Sequence, residues 1–124
     1  MKYIVYLCIG NRYNEWRNNM GNSNTALTEA VYYILLALQE PLHGYGIMQQ
    51  TSSLSNGRLS ISAGTLYGAL SNLLEKGWIT PYGEAEGQDG RRKQYQITDA
   101  GKEVLKAELE RLEELVENGR KYIK

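Results

Sequence analysis

The stretch "LTEAVYYILLAL", residues 27–38, constrains this chain more than any other. Leu27, Val31, Ile34, Leu35 and Leu38 recur at helical spacing. Thr28 is placed to cap the helix, Glu29 suits its positive end, and Pro41 follows its stop. Tyr32, Tyr33, Leu36 and Ala37 make the opposite side apolar as well. A helix apolar all round needs cover on more than one side. A chain of 124 residues builds a single modest core. The second side is therefore expected to meet another subunit, and Val31 and Leu35 are also counted among the dimerisation residues.

The elements that follow are short. "HGYGIMQQTSSL" predicts a second helix with Ile47, Met48, Thr51 and Leu54 on one face. Gly44 and Gly46 cost a helix about 1 kcal/mol each relative to Ala, which points to close backbone approach near its start. "SNGRLSI" predicts a turn and a very short strand. "SAGTLYGALSNLLEKG" predicts a third helix, capped by Ser62, buried along Leu66, Leu70, Leu73 and Leu74, and stopped by Gly77. "WITPYGE" and "KQYQIT" predict two strands around the Gly- and charge-rich turn "AEGQDGRR". Pro81 favours an edge position for the first of them.

"TDAGKEVLKAELERLEELVENGRKYIK" predicts a long final helix capped by Thr98 or Asp99. Leu105, Leu109, Leu112 and Val116 follow 4-3-4 spacing with Leu115 beside them, a seam of about two heptads that wants a partner. The fold class expected is mainly α with a small β-hairpin (α+β), a winged helix-turn-helix with a long C-terminal dimerisation helix. Residues 25–98 form the winged-helix unit and 99–124 the dimerisation helix. Residues 1–24, Asn-rich and without a clean period, read as a flexible N-terminal extension, and Met20 offers an alternative start.

Several classes of function are excluded or disfavoured. One cysteine, Cys8, and one histidine, His43, rule out by counting a disulfide framework or a Cys/His metal site within one chain. No cofactor or metal is expected. No stretch approaches the roughly 18 uninterrupted apolar residues of a membrane helix. The start of the chain lacks a cleavage site for a signal peptide, so the cytoplasm is the expected compartment. His43 has no evident catalytic partner and reads as a residue packed near a helix start. No enzyme activity is expected.

Charge is informative by position. The chain carries 14 Lys+Arg and 14 Asp+Glu. Residues 26–98 hold five cations against six acids, yet Arg91, Arg92 and Lys93 are contiguous at the hairpin tip. A charged tip is either solvated or, in a winged helix, set against nucleic-acid phosphates. The third helix is the expected reader. Its first turn can offer backbone N–H groups to a phosphate, and Thr65 and Tyr67 add hydroxyl donors. Ala63, Gly64 and Gly68 either admit close approach to a major groove or pack tightly on another helix. Ser71 and Asn72 either touch phosphate or base edges or simply face solvent.

"LTEAVYYILLAL", "HGYGI", "ISAGTLYGALSNLLEKGWI" and "GRRKQYQITDAGKEVL" together resemble the PadR family of bacterial transcriptional regulators, over residues 26–118. The resemblance is to the subfamily with one C-terminal helix. It implies a homodimeric repressor whose last helix crosses to pack near the partner's first helix. It implies DNA-facing positions at Ser62, Thr65 and Tyr67, at Tyr45 on the second helix, and at Arg91, Arg92 and Lys93. Family members commonly carry Lys or Arg where this chain has Ser71 and Asn72, which throws more of the phosphate contact onto the wing. The family often responds to phenolic acids or other small aromatics. Tyr32, Tyr33 and Met48 are the candidates to line such a pocket, with plain core or interface packing as the alternative.

The expected function is a sequence-specific DNA-binding transcriptional regulator, a homodimeric repressor on a palindromic double-stranded operator, released by a small aromatic or phenolic ligand. The alternative is a winged-helix protein-interaction module without DNA binding.

Overall fold

A computed structural model describes residues 26–83 and 93–124. The N-terminal extension and the hairpin tip with Arg91 and Arg92 lie outside the described residues. Those described form four helices and a three-stranded sheet: α1 (Glu29–Ala37), β1 (Leu42–His43), α2 (Gly44–Leu54), α3 (Ala63–Lys76), β2 (Ile79–Tyr82), β3 (Gln94–Ile97) and α4 (Asp99–Tyr122). This is the winged helix-turn-helix arrangement, mainly α with a small antiparallel sheet.

Capping fixes the helix starts. The Thr28 hydroxyl accepts the Val31 N–H at 3.2 Å, Ser62 accepts that of Thr65 at 3.2 Å, and Thr98 accepts that of Gly101 at 3.1 Å. Each satisfies one otherwise orphaned donor, worth about 1 kcal/mol. His43 holds the same position before α2 but makes no side-chain cap. Gly77 ends α3 in the left-handed region at φ 77°, a conformation that favours glycine.

The core lies between α1, α2, α3 and the inner side of the sheet. Ile34, Leu35, Leu38, Ile47 and Leu66 are fully enclosed, and Leu70, Leu73, Ile79 and Ile97 nearly so. Each such side chain contributes roughly 1.5–3 kcal/mol of transfer free energy. In β3, Tyr95 and Ile97 are buried and alternate with half-buried Gln94 and Gln96. β3 is the central strand, with β1 and β2 on either side. Pro81 thus sits on an edge strand, paired across from Tyr95, where its missing N–H costs least. The Ile97 N–H donates to the Leu38 carbonyl at 3.0 Å, joining the end of α1 to the sheet.

The short strand expected within "SNGRLSI" does not form. Asn56 and Gly57 both take positive φ, which curls the chain. Ser55 satisfies the turn locally, donating to the Thr51 carbonyl at 3.0 Å and accepting from the Leu59 N–H at 3.0 Å. The third strand is instead Leu42–His43, paired to Tyr95 and Gln94. Two residues beside a central strand carry too little pattern to show in the sequence.

Candidate nucleic-acid interface

The outward side of α3 is continuous. Ser62, Ala63, Gly64, Thr65, Tyr67, Gly68, Ser71 and Asn72 are all exposed, while Leu66, Leu70 and Leu73 hold the helix to the core. The Ser62 hydroxyl also donates to the Thr65 hydroxyl at 3.1 Å, so the cap orients one of the candidate donors. A Cβ built at Gly64 or Gly68 meets nothing within 4 Å. Of the two readings of these small residues, packing on another helix of this chain is therefore set aside. They leave open space on the face a groove would occupy.

Tyr67 is half exposed, at 50%, and Tyr45 61% exposed. Both lie by the start of α2. The phenol of Tyr67 lies over Gly44, whose hypothetical Cβ would collide with the Tyr67 hydroxyl and stand 3.0 Å from its Cζ. Tyr45 sits one residue on, its hydroxyl accepting from Gln49 Nε2 at 3.3 Å and its ring 6.5 Å from that of His43. Beneath them, burial pushes the Tyr95 phenol up from its ordinary range, and the neighbouring Tyr67 adds to the shift. Close approach at Gly44 was foreshadowed by its helix cost, but the partner was not, because Tyr67 lies far along the chain.

Among the described residues, cations are sparse on this face. Lys93 is exposed just before β3; Arg91 and Arg92 lie outside the described residues. Lys76 places its ammonium 5.0 Å from the centroid of Trp78. Arg58 is ion-paired with Glu29 on α1, which raises the guanidinium's pKa and lowers that of the carboxyl.

The residues expected at a dimer contact divide into two sets. Leu35 has no accessible surface and Leu105 very little; both fill the chain's own core, so Leu35 offers nothing to a second copy. Val31 is half-buried against that core. Leu109 (47%), Leu115 (52%) and Val116 (53%) are exposed, with Leu112 half-buried. Sequence reasoning missed Glu108, which is 6% exposed. Its carboxylate accepts from Arg111 at 2.9 and 2.6 Å and from the Leu27 N–H at 3.4 Å. This ties α4 to the segment entering α1, and pairing with Glu108 raises the pKa of Arg111.

The proposed ligand residues are not gathered in one place. Tyr32 lines an open groove between α1 and α4 with Leu36, Gln39, Lys102, Lys106 and Leu109. Tyr33 meets its ring at 6.1 Å, edge to face, but faces toward Arg58. Met48 packs against the core.

The transcriptional regulator PadR-like family matches residues 34–107, more than half of the chain, from within α1 through the sheet to the first turns of α4. The chain belongs to the PadR-like family of transcriptional regulators. This PadR-like chain is 26% identical to a transcriptional regulator from Clostridium thermocellum, with a TM-score of 0.63 over 77% of this chain and 90% of that one. It is likewise 26% identical to Bacillus subtilis PadR, solved in complex with operator DNA, with a TM-score of 0.54 over 64% of this chain and 45% of that one. An uncharacterized 37.1 kDa protein in transposon TN4556 of Streptomyces fradiae is 38% identical over 81 residues, 64% of this chain and 22% of that protein. This PadR-like chain spans less than two thirds of the length of the curated relatives it matches. Among its described residues no helix is long and apolar enough to cross a membrane.

Proposed function

We propose that this PadR-like regulator is a homodimeric repressor that reads a palindromic operator in the cytoplasm. α3 enters the major groove, the wing residues Arg91, Arg92 and Lys93 hold phosphates, and Tyr45 flanks the reading helix. The carrying observation is the outward face of α3 from Ser62 to Asn72, with open space above Gly64 and Gly68. Such a face suits backbone-close approach to base edges. Support for DNA as the partner comes also from Bacillus subtilis PadR, which was solved with its operator. Dimerisation rests on the exposed strip Leu109, Leu115 and Val116. Release by a small aromatic or phenolic ligand rests on the family resemblance. The groove beside Tyr32 is the place to look for it.

A second reading, a protein-interaction module that does not bind DNA, draws on one feature. α3 carries no Lys or Arg before Lys76. Selection of bound duplexes from a random pool at physiological salt, repeated with small aromatic acids, separates the two. A palindromic winner released by one of the acids supports the repressor. Failure to enrich any duplex supports the interaction module.

A further inference from the structure

We propose that Gly44 is a positioning residue of the reading face, seating the Tyr67 phenol against the first turn of α2 and so fixing where the Tyr67 hydroxyl is presented. The inference rests on the reading of α3 as the DNA-contacting helix and adds a residue that touches no DNA itself. Gly44 is buried although it opens a helix beside exposed Tyr45. What covers it is Tyr67: its hydroxyl, Cζ and Cε1 are the three atoms nearest the place a Cβ would take, the last at 3.5 Å. A phenol hinged only at α3 would sweep through its rotamers. Laid against the α2 backbone it has one position, and a hydroxyl held in one position discriminates base edges better than a mobile one. Gly44 has no positive φ, so backbone strain does not explain the glycine, whereas the room needed by the ring does.

The test is a cycle of Gly44→Ala, Tyr67→Phe and the double variant. Each is read for thermal midpoint, for the ratio of operator to random-duplex affinity, and for the salt slope on random DNA. Gly44→Ala is expected to lower the ratio about tenfold, the worth of one well-placed contact, with the salt slope unchanged. In the Tyr67→Phe background, where the colliding oxygen is gone, Gly44→Ala should change the ratio less than twofold. An equal loss in both backgrounds overturns the proposal, as does a lowered midpoint with the ratio intact. Should Gly44→Ala fail to fold, comparison of the wild type with Tyr67→Ala decides. The Gly44 α-proton resonances must differ between the wild type and Tyr67→Ala without DNA present; unmoved resonances refute the seat. If these resonances shift between the two proteins but the wild type prefers no duplex, the DNA reading fails, and with it the role assigned to Gly44, while the packing contact stands.

Discussion

Gly68→Ala separates what α3 needs as a helix from what it needs as a reader. Gly68 lies inside a 14-residue helix, where glycine costs about 1 kcal/mol relative to alanine through backbone entropy. Nothing lies within 4 Å of the new methyl group, so no packing penalty opposes the gain. The variant should be more stable by about 1 kcal/mol, which in a chain of this size raises the thermal midpoint by roughly 4 °C. Against DNA the sign reverses. A methyl on the docking face holds the helix backbone away from the base edges and weakens one or two hydrogen bonds, each worth about 0.5–1.5 kcal/mol. Operator affinity should fall roughly tenfold. Circular dichroism melts at fixed protomer concentration and fluorescence anisotropy with a labelled operator at fixed salt measure the two effects on one preparation. A stabilised variant that binds its operator as tightly as the wild type would refute the placement of this face in the groove. A destabilised one would refute the open space above Gly68.

The remaining predictions use other parts of the molecule. Six wing cations per dimer, each neutralising one phosphate, give a log–log salt slope of about −5; Arg91→Ala with Arg92→Ala should weaken binding to all duplexes and flatten that slope toward −2, as titrations between 50 and 200 mM salt would show. Leu109→Asp with Leu112→Asp should yield monomers by sedimentation and abolish operator binding, because two half-sites about 34 Å apart must be engaged together. Gly101→Ala should destabilise by up to about 2 kcal/mol in a thermal melt, opposite in sign to Gly68→Ala. There the new Cβ would collide with the Trp78 carbonyl oxygen and stand 2.7 Å from Ile97 Cγ1, and overpacking of about 1–3 kcal/mol outweighs the helix preference for alanine.

Local signals carried much of the fold. Thr28, Ser62 and Thr98 cap where a short hydroxyl precedes an apolar period, Gly77 stops where a positive φ is needed, and Pro81 falls on an edge strand. These features act within a turn or a strand pair, so they can be read residue by residue. What the sequence hid depends on residues far apart in the chain. The two-residue β1 exists only because β3 runs beside it. Leu35 belongs wholly to the chain's own core, although helical spacing alone sets it level with Val31 as a candidate for a partner. Glu108 reads as one acid among several on a solvated face, but the Leu27 N–H and Arg111 enclose it. For the candidate site, α3's exposed residues follow from its buried stripe, whereas the seat of Tyr67 on Gly44 requires the angle between two helices.

The last helix connects stability with the proposed reading of DNA. α4 has 24 residues, about 36 Å of rise, but its buried residues are Gly101, Leu105 and Glu108, all in the first half. From Leu109 to Tyr122, about 21 Å, no residue is buried within the chain. A helical stretch of that length is marginal in water without tertiary cover. Arg120 and Lys121 in its last turn help through the helix dipole, by less than about 1 kcal/mol each. The half-exposed Leu109, Leu115 and Val116 thus mark where further stabilisation must come from, and in the proposed dimer a second copy supplies it. That same stretch would set the distance between the two reading helices. Amide exchange past Leu109 in the Leu109→Asp, Leu112→Asp protein should accelerate together with the loss of operator binding. If exchange there stays slow in a monomer, α4 holds itself and its apolar strip serves something other than the pairing of half-sites.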